Sequence, residues 1–232
     1  MPPVTTDACR DFALNVVERL AAAGFTAFWA GGCVRDQLLG RQPKDFDVAT
    51  NATPGEVRTL FGRNRTLAIG QSFGVITVLG RRDISPVEVA TFREDVSYSD
   101  GRRPDAIQFS HARQDAFRRD FTINGLFFDP LNDKVVDFVE GHRDITNKVL
   151  RAIGEAEKRF DEDKLRMLRA IRFAADFEFE IESRTMAAIR CHATKISQVS
   201  VERISGELAK MLVHPRRQTA LRLLRDSQLY SE

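Results

Sequence analysis

The texture of the chain changes near residue 145, and this change constrains its fold more than any other feature. Upstream, short apolar runs are punctuated by Gly, Pro and Asn at 26–30, 46–50, 66–69, 74–79, 87–92, 106–110, 126–128 and 134–139. Runs of that length bounded by turn residues predict strands. Between and before them, 7–23, 34–39, 54–61 and 112–119 carry helical spacing, so the first part predicts a mixed sheet with helices. Downstream, glycine is confined to Gly154 and Gly206, and helices are predicted at 163–177, 183–195, 201–212 and 216–224. The expected class is α+β, a sheet-bearing module followed by an all-helical one. Residues 94–105 form the one polar stretch long enough to predict a mobile loop.

Charge adds little to the choice of partner. Thirty-five Lys and Arg against 33 Asp and Glu leave a net charge of +2, so bulk charge does not hold this chain on a polyanion or a membrane. Any such site must be a local cluster. No apolar stretch approaches the ~20 residues of a membrane span. Cys9, Cys33 and Cys191 are odd in number and unpaired in spacing, which fits neither a disulfide framework nor a zinc site and predicts a cytoplasmic setting.

Three segments carry chemistry. In the first, Gly31-Gly-Cys-Val-Arg-Asp36 is followed by Lys44-Asp-Phe-Asp-Val-Ala-Thr50. Alternation along a strand would put Asp45 and Asp47 on one face with Phe46 behind them. Paired carboxylates are ligands for hard divalent cations such as Mg²⁺, two of which support in-line attack on phosphorus. Glu88 on a neighbouring predicted strand is the candidate third acid, and an outward-facing residue is its equal alternative. Gly31 and Gly32 bare the backbone for a triphosphate that Arg35, beside Asp36, would neutralise. An Asp-X-Asp on a solvated strand edge is the simpler account of the acids taken alone.

The second segment, Asp115-Ala-Phe-Arg-Arg-Asp-Phe-Thr-Ile-Asn124, compresses charge at one turn. Arg119 can meet a phosphate, and Asp120 can accept from a ribose hydroxyl because a carboxylate only accepts; an intrahelical ion cluster with Asp120 as a cap is the simpler account. The third runs from Asp161 to Phe173, where Asp163 and Arg166 stand three apart on a predicted helix with Arg169 and Arg172 extending the row. An acceptor beside a fork of donors suits the polar edge of a base. A surface ion pair explains the same spacing. Arg216, Arg217 and Arg222 lie in an acid-free stretch that can meet RNA phosphates or form an ordinary solvated helix face.

Taken in this order, the segments resemble the class II tRNA nucleotidyltransferases, the CCA-adding enzymes and their bacterial poly(A) polymerase relatives with a polymerase β-like head. Asp137-Phe-Val-Glu-Gly-His-Arg-Asp144 resembles the family's hinge motif, and Val201-Glu-Arg-Ile-Ser-Gly-Glu-Leu208 resembles the motif that braces its neck helices. The resemblance implies a nucleotidyltransferase head at 1–145, a helical neck at 146–213 and the start of a helical body at 214–232, a catalytic core or fragment. It implies two Mg²⁺ on Asp45 and Asp47 and triphosphate contacts from Gly31, Gly32, Arg35 and Asp36. Arg119, Asp120 and Asn124 would hold the ribose, and Asp163, Arg166 and Arg169 the base.

Glu94-Asp-Val-Ser-Tyr-Ser-Asp-Gly-Arg-Arg-Pro-Asp105 resembles the flexible loop with which these enzymes accept ATP. Its Arg102, Arg103 and Asp105 disfavour CC-only addition. Ile69-Gly-Gln-Ser-Phe-Gly-Val-Ile departs from the family's usual pattern at that point and leaves an A-adding specialist open. The expected activity is template-independent addition of CCA, or of the terminal A, to the tRNA 3′ end from ATP and CTP. No membrane and no protein partner is implied. A poly(A) polymerase and a catalytically silent RNA-binding scaffold of the same fold are the alternatives.

Overall fold

The computed structural model describes residues 6–82, 84–97 and 106–230. They divide into two compact units. The first holds the described residues through Asp95 together with Ile107–Arg119 and Asn124–Val139; the second holds Val96, Ser97, Ala106, Asp120–Ile123 and everything from Glu140 onward.

The first unit opens with α1 (Thr6–Ala22). Its apolar spacing puts Ala13, Val16, Val17 and Leu20 fully out of solvent, and Gly24 at φ 86° supplies the left-handed residue that reverses the chain. The elements that follow are β1 (Ala27–Ala30), α2 (Gly32–Leu38), β2 (Asp47–Thr50), α3 (Pro54–Phe61), β3 (Thr66–Leu67), β4 (Val75–Val78) and β5 (Val87–Thr91). Thr53 caps α3 through a reciprocal box with Glu56, and Pro54 takes the first turn, where a missing N–H costs nothing. Then come β6 (Arg93–Ser97), β7 (Ala106–Phe109), α4 (Ala112–Phe117), β8 (Phe127–Asp129) and β9 (Lys134–Val136).

A seven-stranded sheet runs in the order β3-β4-β5-β2-β1-β8-β9. β2 and β5 are its parallel neighbours, and the other recorded pairs are antiparallel. On one face Ala30, Ala49, Phe92 and Phe127 pack with Ala116 of α4. On the other, Trp29 meets Phe46 at 5.0 Å and Phe128 at 5.6 Å. Fully burying one such aromatic contributes about 1.5–3 kcal/mol.

The predicted loop 94–105 is corrected at its start. Residues 94–97 belong to β6, which pairs with β7 in a separate two-stranded ribbon. The ladder partner lies beyond the polar stretch, so local composition hides it. Arg102, Arg103 and Asp105 lie outside the described residues.

The second unit contains α5 (Gly141–Thr146), β10 (Val149–Leu150), α6 (Ala156–Glu162), α7 (Leu165–Phe177), β11 (Glu180–Ile181), α8 (Ser183–His192), α9 (Val201–Val213) and α10 (Arg217–Asp226). Its core takes Leu150, Phe160, Met167, Ile171 and Ile189, together with Phe121 and Ile123 from the inserted segment. That segment is tied in by the Ile153 N–H to the Asp120 carbonyl at 3.1 Å and the Thr122 N–H to the Arg151 carbonyl at 3.0 Å. The expected all-helical character is modified by β10 and β11, which pair in parallel over two residues each, too short for an alternating pattern to show. The helix predicted from residue 163 begins at Leu165; Asp163 instead ends α6 in extended backbone, and its carboxylate accepts from the Leu165 N–H at 3.1 Å. Such local side-chain bonding competes with helix continuation. No helix among the described residues is long and apolar enough to cross a membrane.

Candidate active site

Strand pairing brings the two halves of the first motif together. Ala30, the last residue of β1, pairs with Asp47, the first of β2, so the Gly31 turn leaves the sheet beside the Asp47 carboxylate. Gly31 is required twice over. Its φ is 71°, and a Cβ built there would lie 2.9 Å from an Arg119 guanidinium nitrogen.

Asp45 lies just before β2, not within it, yet the expected alternation holds: Asp45 and Asp47 are exposed and Phe46 between them is buried. Register between β2 and β5 matches Val48 with Val89, which places Glu88 beside Asp47 on the same face. Although Asp47 keeps exposed surface, protein packed about its carboxylate strips away water, and the Glu88 and Asp45 charges repel it. These pressures push its pKa from 3.8 up to about 6, and Arg119 offsets them only partly. Cys33, beneath the same turn, is inert as a nucleophile: burial pushes its thiol up to about 11.

The basic groups are held in place. Arg35 donates to the Asn124 side-chain oxygen at 2.6 Å and to one Asp36 oxygen at 2.9 and 2.8 Å. Arg119 donates to the Asn124 carbonyl at 3.2 Å, to Asp115 at 2.9 Å, and lies 5.1 Å from the Phe127 ring. Asp115 is 1% exposed and also holds Arg118 at 2.9 Å. Burial works against its ionisation, but Arg119 and Arg118 more than offset it and hold the carboxyl below its ordinary range. Sequence reasoning did not single out Asp115, although its spacing of three and four from the two arginines was a readable signal.

Gly31, Gly32, Arg35, Asp36, Asp45, Asp47, Glu88, Arg119 and Asn124 all belong to the first unit. Asp120, adjacent in sequence to Arg119, belongs to the second. One of its oxygens accepts from Arg169 at 2.9 and 2.6 Å, and the other from the Phe121 N–H at 2.8 Å.

The residues expected to read a base also sit in the second unit, but Asp163 and Arg166 are not neighbours on one helix face. Asp163 ion-pairs with Arg203 of α9 at 2.8 Å, while Arg166 donates to Glu162 at 2.6 Å and to the Arg159 carbonyl at 3.1 Å. Arg172 reaches the buried Glu207 of α9 at 2.6 Å. Arg203 and Glu207 lie in the Val201–Leu208 segment expected to brace the helices, and Glu162 stands next to Asp163 in its motif, but the sequence assigned none of them a partner; Arg203 stands 40 residues from Asp163, and no local pattern announces that. Arg217 and Arg222 are exposed on α10, and Arg216 ion-pairs with Glu178.

Residues 27–151 match the "Poly A polymerase head domain" family model, and residues 178–232 match that of the "Probable RNA and SrmB- binding site of polymerase A". A CCA-adding enzyme of Lactobacillus helveticus is 41% identical over 94% of this chain and 53% of its own length. One from Lactiplantibacillus plantarum is 43% identical over 86% of this chain and 49% of its own. The chain thus spans about half the length of the curated relatives it matches. The crystal structure of the Bacillus stearothermophilus CCA-adding enzyme in complex with CTP superposes with a TM-score of 0.85 at 35% identity, covering 94% of this chain and 52% of that one. With a head-domain match that takes in both strands of the acidic motif and the Arg119 turn, and with its similarity to these CCA-adding enzymes, the chain belongs to the poly A polymerase head domain family.

Proposed function

We propose that this chain is the catalytic core of a template-independent nucleotidyltransferase that extends the tRNA 3′ end, adding CCA or its terminal A from CTP and ATP. The observation that carries the reading is the placement of Asp45, Asp47 and Glu88 beside the Gly31 turn, with Arg35 and Arg119 anchored next to it. The similarity to enzymes named as CCA-adding supports the same substrate class.

The acids fit a divalent cation. Burial first, then repulsion from the Glu88 and Asp45 charges, raises the pKa of Asp47 to about 6, and bound Mg²⁺ would relieve that repulsion. Among the described residues no three His, Cys, Asp or Glu side chains gather into a metal site, so ions held by the Asp45 and Asp47 pair would complete their shells with water and phosphate oxygens. Asp45 and Asp47, with Glu88 beside them, would hold two such ions. When bound, they would neutralise developing charge on the phosphate and favour ionisation of the RNA 3′-hydroxyl.

The chain's own groups orient the reactants. Gly31 and Gly32 admit the triphosphate to the backbone, and Arg35 and Arg119 counter its charge. The RNA 3′-oxygen forms a bond to the α-phosphorus as the bond to pyrophosphate breaks. Asp36 and Asn124 set the reach of Arg35, and Arg119, Asp120 and Asn124 would address the sugar. Asp163 and Arg166 supply an acceptor and a donor fork for the base. Arg216, Arg217 and Arg222 would meet the tRNA backbone, and Arg102, Arg103 and Asp105 would assist ATP. In this reading the head spans 1–145, the neck 146–213 and the body begins at 214, in a cytoplasmic setting.

The test is incubation with Mg²⁺ and CTP, ATP or both, using tRNAs ending at the discriminator base, after C and after CC. Growth by CCA identifies a full CCA-adding core, and a single A on the CC end alone identifies an A-adding one. A long A ladder would replace the reading with poly(A) synthesis. ATP bound without any addition would leave a silent scaffold.

A further inference from the structure

Asp120 is held by four residues that close on one another. Both Arg169 donors, the ε N–H and an η N–H, converge on a single Asp120 oxygen at 2.9 and 2.6 Å, and the adjacent Phe121 N–H takes the other oxygen at 2.8 Å. Phe121 meets the Phe173 ring edge-on at 5.9 Å. Phe173 in turn lies 5.1 Å below the Arg169 guanidinium. The backbone is fixed as well, because the Asp120 carbonyl accepts from the Ile153 N–H at 3.1 Å. All these residues belong to the second unit.

This arrangement does three things to the carboxylate. Asp120 is only 9% exposed, and one of its oxygens takes both Arg169 donors, a pairing with a cation that favours the carboxylate, which only accepts. Two bonds from a planar fork, backed by an aromatic ring, hold one rotamer where a lysine ammonium on its flexible stem would not. The apolar ring pair raises the cost of leaving any polar partner unmatched. A fixed, charge-paired and largely buried acceptor rewards a hydroxyl donor and penalises a ligand that lacks one.

We infer that Arg169 is a positioning residue for sugar selection, acting through Asp120 to favour ribonucleotides over 2′-deoxynucleotides, and not a reader of the nucleobase. The inference deepens the proposed function and rests on Asp120 facing the ribose. Hydrogen bonding sets Arg169 apart from Asp163, which takes Arg203, and from Arg166, which donates to Glu162 and the Arg159 carbonyl, although the Glu207 and Asp163 charges also act on Arg169 through space.

The experiment measures kcat and KM for ATP, dATP and CTP on tRNA ending in CC or C, with wild type, Arg169→Gln, Arg169→Lys, Asp120→Asn and the Arg169→Gln/Asp120→Asn double variant. Arg169→Gln is expected to shrink the ATP-over-dATP preference by about tenfold, the scale of one lost charge-assisted hydrogen bond, through a higher KM for ATP. The CTP-to-ATP ratio stays at its wild-type value. In the Asp120→Asn background the Arg169→Gln change adds nothing further, since its route is already cut. An unchanged ATP-over-dATP preference, a shifted CTP-to-ATP ratio, or independent additive effects would each overturn the inference. If Arg169→Gln fails to fold, Arg169→Lys carries the comparison, because it keeps charge and loses the fork. If the wild type adds no nucleotide, the proposed function fails on its own, and calorimetric binding of ATP against dATP decides the sugar role: equal affinities overturn it.

Discussion

Asp47 shows how much a single residue is set by its surroundings. Its ordinary pKa of 3.8 rises to about 6 through loss of water and repulsion from Glu88 and Asp45. In the unfolded chain this proton leaves first, so between pH 4 and 6 the unfolded state binds fewer protons and stability falls as pH rises. Thermal melts in a chelator across that window are expected to show the fall in wild type and a flatter profile in Asp47→Asn. An identical slope in both would remove the repulsion argument. Magnesium added at pH 7 should raise the Tm of wild type but not that of Asp47→Asn. Gly31 makes a second prediction. Alanine there combines a positive φ with a Cβ 2.9 Å from Arg119, so Gly31→Ala should cost about 1–3 kcal/mol in urea unfolding and depress ATP use. A variant with wild-type stability and turnover would show that the turn tolerates a side chain.

Among the elements, α4 acts as a mount for arginines. Asp115 faces inward and turns Arg118 and Arg119 toward fixed positions, so Asp115→Ala leaves two guanidinium groups without their buried counter-charge. The expected loss is about 3–5 kcal/mol at pH 7. Because the folded carboxyl titrates below its ordinary value, its contribution is present above the unfolded pKa near 3.8 and disappears as pH falls through the folded one. Urea unfolding of wild type and variant should therefore converge at acid pH. Helices α7 and α9 are joined differently, by Arg172 to Glu207 and through Asp163 to Arg203. Arg203→Ala should release Asp163 and blur the CTP-to-ATP ratio while the ATP-over-dATP preference survives, a split visible in competition assays. Element identity was legible where the signal is local: α3 follows from Thr53, Pro54 and Glu56 within four positions. The break at Asp163 was not, since the apolar repeat runs through it and only a side-chain bond to the Leu165 N–H marks the stop.

At the scale of the whole molecule, the chain does not pass from one unit to the other at a single point. Asp120–Ile123 belongs to the second unit while Arg119 and Asn124 on either side belong to the first. Residues 1–139 made alone would expose Phe121 and Ile123, both fully buried here. That fragment is expected to aggregate without a cooperative melt, and a sharp reversible transition would refute this. The sequence by itself determined the strands of the seven-stranded sheet and the longer helices α1, α3, α8, α9 and α10, the exposed acids either side of Phe46, and the glycine turn before α2. Those features depend on periodicity and on neighbours within a few residues. Tertiary structure alone decided that Asp120 parts from Arg119, that Arg169 and Arg203 choose their acids, and that Glu88 stands beside Asp47. Buried carboxylates take whichever partners the packed core delivers to them, and those partners arrive from distant segments that no local pattern connects.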